Sequence, residues 1–166
     1  MTRHVSRVVY TPIGIIHSPL KDQAGSPIQS VSAKNVEGVV EVFPPYAEGL
    51  KDIVGFSHLI LIYHFHLVCK ASLVVKPYLE KRRRHGIFST RSPSRPNSVG
   101  ISTVKVERVR GARIYVRGID MLDGTPLLDI KPYVPTFDST QVERIGWYAG
   151  KLRNLPHTKA DNRFAR

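Results

Sequence analysis

The sequence predicts a mainly β protein, namely a single-domain antiparallel or mixed β-barrel with short peripheral helices and one C-terminal helix. Strand-like segments outnumber helical ones, and hairpin signals outnumber strand–helix–strand alternation. The glycines are scattered, and no G-x-G-x-x-G follows a strand, which argues against a Rossmann fold. With 166 residues, 42% of them hydrophobic, the chain can bury one sizeable core. We predict one domain over residues 1–154 and a mobile basic tail over residues 155–166.

The first third of the chain reads as two strands and one short helix. Residues 8–16 are apolar and β-branched, which predicts a strand, and Pro12 favours an edge or a bulge. Residues 21–30 are polar and predict a loop, and residues 39–43 predict a second strand that ends at two prolines. Residues 46–54 place apolar side chains at helical spacing and predict a short amphipathic helix.

The middle of the chain carries the strongest β patterns. Residues 57–66 are apolar on both faces, which predicts a central strand covered on both sides. Residues 68–78 fit neither a helix nor a strand clearly. Residues 101–109 and 114–119 alternate around Arg110-Gly111-Ala112-Arg113, and this pattern predicts a hairpin.

Residues 136–154 predict the one longer helix. Asp138 or Ser139 can cap its first turn, and Lys151 and Arg153 suit the negative end of its dipole. An apolar stripe supports the assignment, formed by Val142, Ile145, Ala149 and Leu152.

Two stretches are unusually dense in polar and turn-forming residues. Residues 119–135 contain Asp120, Asp123, Asp129 and Lys131, together with the turn signal Asp123-Gly124-Thr125-Pro126. A loop with a fixed backbone between buried anchors is a common position for a functional site, although an ordinary tight connection between two strands is the alternative. Residues 88–102 contain two arginines, two prolines and several hydroxyl or amide side chains.

Together these stretches resemble the TrmO/TsaA-like family of S-adenosylmethionine-dependent tRNA methyltransferases. The matching blocks are T-R-S-P-S-R-P-N-S-V-G-I-S at residues 90–102 and D-G-T-P-L-L-D-I-K-P-Y at residues 123–133. A looser match runs from G-F-S-H-L at residues 55–59 to Phe65-His66, and the resemblance covers roughly residues 8–135. It implies a methyltransferase built on a β-barrel without a Rossmann fold.

The resemblance also implies S-adenosyl-L-methionine as the cofactor. An arginine suits the methionyl carboxylate of this cofactor, and carboxylates suit its ammonium, its sulfonium and its ribose hydroxyls. Ile28 departs from the basic residue common in the family, and Ser98 stands where many members have proline. The implied cofactor contacts are Pro27, Ile28, Gln29, His66, Leu67, Arg91, Ile101, Asp120, Met121, Leu122 and Asp123.

The implied reaction methylates N6 of threonylcarbamoyl-adenosine, the tRNA nucleoside just 3′ of the anticodon. This nitrogen is conjugated both to the purine and to a carbonyl, so it is a poor nucleophile and a base within hydrogen-bond reach would help. The candidates for the base are Asp123, Asp129, Tyr133 and His66, and the sequence does not choose among them.

The charge of the chain favours a polyanionic partner. Lys and Arg number 25 against 13 Asp and Glu, which gives a formal net charge of +12. The predicted tRNA contacts are Lys81, Arg82, Arg83, Arg84, Arg95 and Lys131. The alternative for the run at residues 81–84 is a solvated loop, and the alternative function is a non-catalytic RNA-binding β-barrel, which would not need both Arg91 and Asp123.

The remaining features concern compartment, metals and assembly. The single cysteine, Cys69, fits a reducing compartment, and neither a signal peptide nor a membrane span is evident, so we expect a cytoplasmic protein. His64, His66 and Cys69 would need a fourth ligand such as His85 to bind zinc, and we predict no metal site. The resemblance implies a homodimer.

Overall fold

The computed structural model describes residues 7–164 and contains a closed six-stranded β-barrel. Around the barrel the strands follow the order β1-β2-β7-β6-β3-β8, every neighbouring pair is antiparallel, and β8 closes on β1. The predicted fold class is confirmed, and it is not Rossmann-like. The strands are β1 (Gly14–His17), β2 (Glu37–Val42), β3 (His58–His64), β4 (Val74–Val75), β5 (His85–Gly86), β6 (Val99–Arg110), β7 (Arg113–Arg117) and β8 (Thr125–Pro132), with β4 and β5 forming a separate ribbon.

Alternating apolar side chains fill the inside of the barrel. In β3, Leu59, Leu61 and Tyr63 point inward and are buried, whereas Ile60 and Ile62 lie on the outer face and are only half-buried. The prediction that both faces of this strand are covered is therefore wrong for the outer face, because in a barrel only one face of a strand meets the core. The predicted hairpin is confirmed: β6 and β7 are joined at Gly111, whose φ is +56°.

The sequence predicted the region of strand β8 only as a turn within a loop between buried anchors. The turn is present, with Gly124 at φ +76°, but the chain continues directly into eight residues of strand. Pro126 is tolerated at the start of β8, where pairing is with β1 alone and β3 has not yet joined. A register shift follows, since Ile62 pairs with Asp129 while Tyr63 pairs with Leu127. This bulge puts Asp129 beside the outward-facing Ile62.

Two predictions for the first third of the chain are wrong in extent. The first strand begins only at Gly14, and residues 8–10 are exposed and unpaired with any strand. The predicted helix over residues 46–54 is replaced by two 3₁₀ segments, Pro44–Leu50 and Ile53–Gly55. Asp52 separates them with a φ of +65°, a left-handed conformation that interrupts any continuous helix.

The predicted C-terminal helix over residues 136–154 is also wrong as a continuous element. The structure has one short helix, α1 (Pro135–Asp138), and then 3₁₀ segments at Gly146–Tyr148 and Leu152–His157. Gly146 and Gly150 adopt φ values of +59° and +73°, which no right-handed helix accommodates. The expected apolar stripe is correspondingly dispersed: Val142 is 67% exposed, and Ile145 and Leu152 are each 43% exposed.

The described part of the predicted tail packs against the protein instead of extending away from it. Lys159 forms a β-bridge with Pro27, and Ala160 exchanges backbone hydrogen bonds with Gly25 and Ser26 at 2.8 and 2.9 Å. Phe164 is buried in a second small apolar cluster with Val75, Ile87 and Tyr78. The domain limit at residue 154 stays a prediction. In the described part of the chain, no helix has the length and apolar character to cross a bilayer.

Candidate functional site

One end of the barrel opens into a cavity of about 600 Å³. Its walls come from the early loop, from the end of β3 and the chain after it, and from the two dense stretches of the sequence. The segment after α1 supplies a further wall. This volume falls in the range of about 300–1,000 Å³ that is typical of small-molecule sites.

The predicted cofactor residues converge on this cavity even though they lie far apart in the sequence. Antiparallel pairing of β3 with β6 brings His66 and Leu67, which follow β3, next to the start of β6, where Ile101 lies. All of the predicted cofactor contacts except Asp123 line the cavity, namely Pro27, Ile28, Gln29, His66, Leu67, Arg91, Ile101, Asp120, Met121 and Leu122.

Arg91 connects the early loop to the first dense stretch. Its Nη1 donates a hydrogen bond of 3.1 Å to Oε1 of Gln29, 62 residues earlier in the chain. The Arg91 side chain is exposed at the cavity wall, so its remaining donors are open to solvent or to a ligand. The hydrogen bond between Arg91 and Gln29 therefore holds one positive charge in place at this wall.

Asp120 is the only carboxylate among the described residues that line the cavity. Its Oδ1 accepts a hydrogen bond of 2.7 Å from Ser102 Oγ, and Ser102 Oγ lies 3.1 Å from the hydroxyl of the buried Tyr63. Burial raises the pKa of Asp120 to about 6, against the opposing effects of the Ser102 hydrogen bond and the Arg91 charge. The residue keeps some surface because it faces the cavity, while the surrounding protein removes it from bulk water. A cationic group in the cavity would stabilise its charged form.

Asp123 does not line the cavity. Its Oδ2 accepts a hydrogen bond of 2.7 Å from Lys21 Nζ, and its Oδ1 accepts one of 2.9 Å from the backbone amide of Ser18. The hydrogen bond from Lys21 is the largest cause that lowers the pKa of Asp123, and the hydrogen bond from Ser18 is the second. The position of Asp123 therefore indicates a role in fixing the turn that precedes β8, where the sequence predicted a cofactor contact.

Of the four candidate bases, only His66 lines the cavity. Asp129 is paired with Lys131 at 2.8 Å on the outer face of β8, and this ion pair raises the pKa of Lys131. Tyr133 follows β8 and packs edge-on against His58, with ring centroids 6.4 Å apart. These residues share the outer surface of the barrel because the bulge in β8 turns Asp129 outward.

The predicted tRNA contacts fall into three different environments. The run at residues 81–84 is exposed and lies between Leu79, which lines the cavity, and His85, which stacks on the cavity residue Trp147. Arg95 lines the cavity, but its Nη1 donates to the carbonyl oxygens of Ile87 and Thr90 at 3.2 and 2.8 Å. Lys131 is on the outer face with Asp129. The basic run is therefore exposed and flanked in the sequence by residues at the cavity, and its contact with tRNA stays a prediction.

The wall that follows α1 was not predicted, because residues up to 154 were assigned to a continuous helix and the later ones to a mobile tail. The missed wall consists of Ile145, Trp147, Tyr148, Leu152, Leu155, Ala160 and Phe164.

Within the described residues, no group of three or more His, Cys, Asp or Glu side chains could hold a metal ion.

Comparison with known proteins gives consistent matches. The family model of the tRNA-methyltransferase O N-terminal domain matches residues 15–139. A probable S-adenosyl-L-methionine-binding protein of Pyrococcus abyssi is 52% identical over 157 residues, which cover 95% of this chain and 85% of that protein. The human tRNA (adenine(37)-N6)-methyltransferase is 39% identical over 155 residues, which cover 89% of this chain and 35% of that protein. A crystal structure of TrmO from Pseudomonas aeruginosa superposes with a TM-score of 0.70 at 36% identity, over 85% of this chain and 62% of that one.

Proposed function

The chain belongs to the tRNA-methyltransferase O family, and on that premise we propose that it is an S-adenosylmethionine-dependent tRNA methyltransferase. The observation that carries the proposal is the cavity, because it gathers the predicted cofactor residues from four separate parts of the chain. The human relative is named as a methyltransferase of adenine N6 in tRNA, and the Pyrococcus relative as binding the same cofactor. The chain spans about a third of the human protein, so its activity is proposed here for this chain on its own residues.

The charged and apolar groups of the cavity fit the cofactor. Arg91 can hold the methionyl carboxylate, and Asp120 can hold the ammonium group or the ribose hydroxyls. The walls also offer apolar side chains such as Ile28 and Met121 for the adenine. When bound, the cofactor supplies the activated methyl group, and the residues of this chain bind it and hold the methyl next to the acceptor.

We propose that the acceptor is N6 of threonylcarbamoyl-adenosine beside the anticodon and that His66 acts as the base. His66 would accept the N6–H proton on an imidazole nitrogen, while the bound cofactor would supply the methyl group as its methyl–sulfur bond breaks. His66 lines the cavity, whereas Asp123, Asp129 and Tyr133 do not. Fixed placement of donor and acceptor would supply much of the rate, since proximity contributes up to about 7–11 kcal/mol.

A transfer assay tests the substrate. The purified protein would be incubated with labelled cofactor and one tRNA, prepared either with or without the threonylcarbamoyl group. We expect label only in the modified tRNA, and nucleoside mass spectrometry should place the methyl on N6. Equal labelling of both tRNAs would contradict the proposed acceptor, and no labelling of either would contradict the proposed activity.

A binding assay separates the enzyme from a plain RNA-binding barrel. S-adenosylmethionine should raise the melting temperature of the protein in the absence of tRNA, because a ligand that binds only the folded state stabilises it. A protein that bound tRNA but showed no response to the cofactor at millimolar concentration would support the RNA-binding alternative instead.

We further propose a cytoplasmic homodimer. The free Cys69 is exposed, which suits a reducing compartment. Several exposed apolar side chains lie on or next to the cavity wall, and a second copy could cover them: Leu67, Phe88, Val99 and Ile101. Light scattering after size-exclusion chromatography should give twice the chain mass of 18.7 kDa, and the monomer mass at all concentrations would contradict the dimer.

A further inference from the structure

The cavity is completed by a part of the chain that lies beyond the matched family domain. That domain ends at residue 139, whereas one wall of the cavity is supplied by residues 145–164, which we call the C-terminal segment. The C-terminal segment is tied to the early loop through the Lys159–Pro27 bridge and through a 3.1 Å hydrogen bond from Ser32 Oγ to the Leu155 carbonyl. It therefore lies across the same loop that carries three of the predicted cofactor contacts.

An ion pair between the buried Glu80 and the half-buried Lys151 anchors the start of the C-terminal segment. Glu80 is only 5% exposed, and its carboxylate accepts a hydrogen bond from Lys151 Nζ and another of 2.8 Å from the backbone amide of Arg82. The Lys151 hydrogen bond is the first cause that holds the pKa of Glu80 far below its usual range. This charged anchor fixes the backbone within three residues of Tyr148.

Three stacked rings lead from this anchor to the cavity. His85 stacks on Trp147 with centroids 4.6 Å apart and planes at 20°, and Trp147 stacks on Tyr148 at 3.9 Å and 26°. Trp147 is enclosed between the two other rings, and its Nε1 donates a hydrogen bond of 2.7 Å to the Ser89 carbonyl. Tyr148 ends the stack and lines the cavity, and within the described residues no further ring stacks on it.

Tyr148 also adjoins the proposed cofactor contact Arg91. Burial raises the pKa of Tyr148, and the nearby backbone and charge of Arg91 oppose this rise. Trp147 thus stacks against one face of the Tyr148 ring. A planar group in the cavity would find the other side of Tyr148 pre-oriented for stacking.

We propose that Tyr148 is a binding residue that stacks on a purine ring inside the cavity. This inference rests on the proposed function, in which both ligands carry a purine: the adenine of the cofactor and the target adenosine of the tRNA. Stacking on an aromatic side chain is tolerant of the exact base and needs only a π face, so either purine satisfies the chemistry of the site. A ligand without a planar ring would not gain this stacking.

The test compares Tyr148→Ala with Tyr148→Phe, which keeps the ring and removes the hydroxyl. Calorimetric titration would give the Kd for S-adenosylmethionine, and filter binding in the presence of saturating S-adenosylhomocysteine would give the Kd for the tRNA. Tyr148→Ala should weaken one of the two by at least about fivefold, the lower end of the effect of removing a stacked base contact. Tyr148→Phe should stay within about twofold of the wild type for both ligands.

The ligand whose Kd rises in Tyr148→Ala carries the purine that stacks on Tyr148. A control variant tests whether any substitution near the C-terminal segment has the same effect. Val142→Ala changes an exposed side chain near this segment that does not line the cavity, so both Kd values should hold. If a folded Tyr148→Ala protein binds both ligands like the wild type, or if Tyr148→Phe loses as much as Tyr148→Ala, stacking is refuted. A wild-type protein that binds no S-adenosylmethionine would instead refute the proposed function itself.

Discussion

Asp120→Asn should stabilise the ligand-free protein while weakening its binding of the cofactor. Burial raises the pKa of Asp120 from 3.8 to about 6, roughly two units, and each unit corresponds to about 1.4 kcal/mol. The charged carboxylate therefore costs the free protein up to ~3 kcal/mol at pH 7.5. Asparagine keeps the shape and can still accept the Ser102 hydrogen bond, but it carries no charge to desolvate. For a chain of this size, each kcal/mol gained would raise the melting temperature by about 2–4 °C.

The pH dependence of this stabilisation follows from the raised pKa of Asp120. A group whose folded pKa is above its unfolded value adds stability that is complete below the unfolded pKa, here 3.8, and is lost as the pH rises through the folded pKa, here about 6. The wild type therefore loses this contribution between about pH 4 and pH 6, whereas Asp120→Asn does not. Melting curves across that range should show the two proteins converging as the solution is acidified.

Cofactor binding should change in the opposite direction. If Asp120 holds the cofactor ammonium, losing one charge-assisted hydrogen bond costs about 1.5–3 kcal/mol, or about 10- to 150-fold in Kd. The wild type should also bind more weakly as the pH falls through about 6, because protonation removes the same charge. Calorimetric titration at pH 7.5 and pH 5.5 measures both effects. A variant that melts lower than the wild type at pH 7.5 and binds the cofactor normally would refute the reasoning, since Asp120 would then be a structural acceptor.

The remaining predictions concern charges at and around the cavity. Arg91→Ala should weaken S-adenosylmethionine binding by about 1.5–3 kcal/mol in titration calorimetry with little change in melting temperature, and unchanged affinity would remove Arg91 from the site. Asp123→Asn should lower the melting temperature, because the Lys21 ion pair is lost, and should leave cofactor affinity intact; the reverse pattern would return Asp123 to the cofactor site. Replacing Arg82, Arg83 and Arg84 by Ala should flatten the slope of log Kd for tRNA against log salt by about 0.7 per lost phosphate contact, which filter binding across a salt series measures. An unchanged slope would mean that the run is a solvated surface that does not contact the tRNA.

The sequence could predict the cavity residues better than the elements that carry them. The family resemblance of the two dense stretches marked Arg91 and Asp120, and the fold brings both to the cavity that His66 also lines. What the sequence could not supply was the register of β8. A single bulge there decides that Asp129 faces outward to Lys131, and nothing in D-G-T-P-L-L-D-I-K-P-Y marks which leucine is the extra residue.

The C-terminal part of the cavity wall shows why helical periodicity predicted a helix that does not form. Residues 136–154 carry an apolar stripe at helical spacing, but a periodic pattern assumes that every residue can adopt right-handed φ and ψ angles. Gly146 and Gly150 do not, and each sits beside the residues that must turn toward the cavity. Since only glycine adopts these angles without strain, the breaks between 3₁₀ segments aim Trp147 and Tyr148 at the barrel end while Lys151 reaches Glu80. A continuous helix would also have kept Trp147 and Lys151, which are four residues apart, on one face. What the breaks at Gly146 and Gly150 change is the direction of the chain on either side of that pair, and this direction is what carries the segment along the cavity.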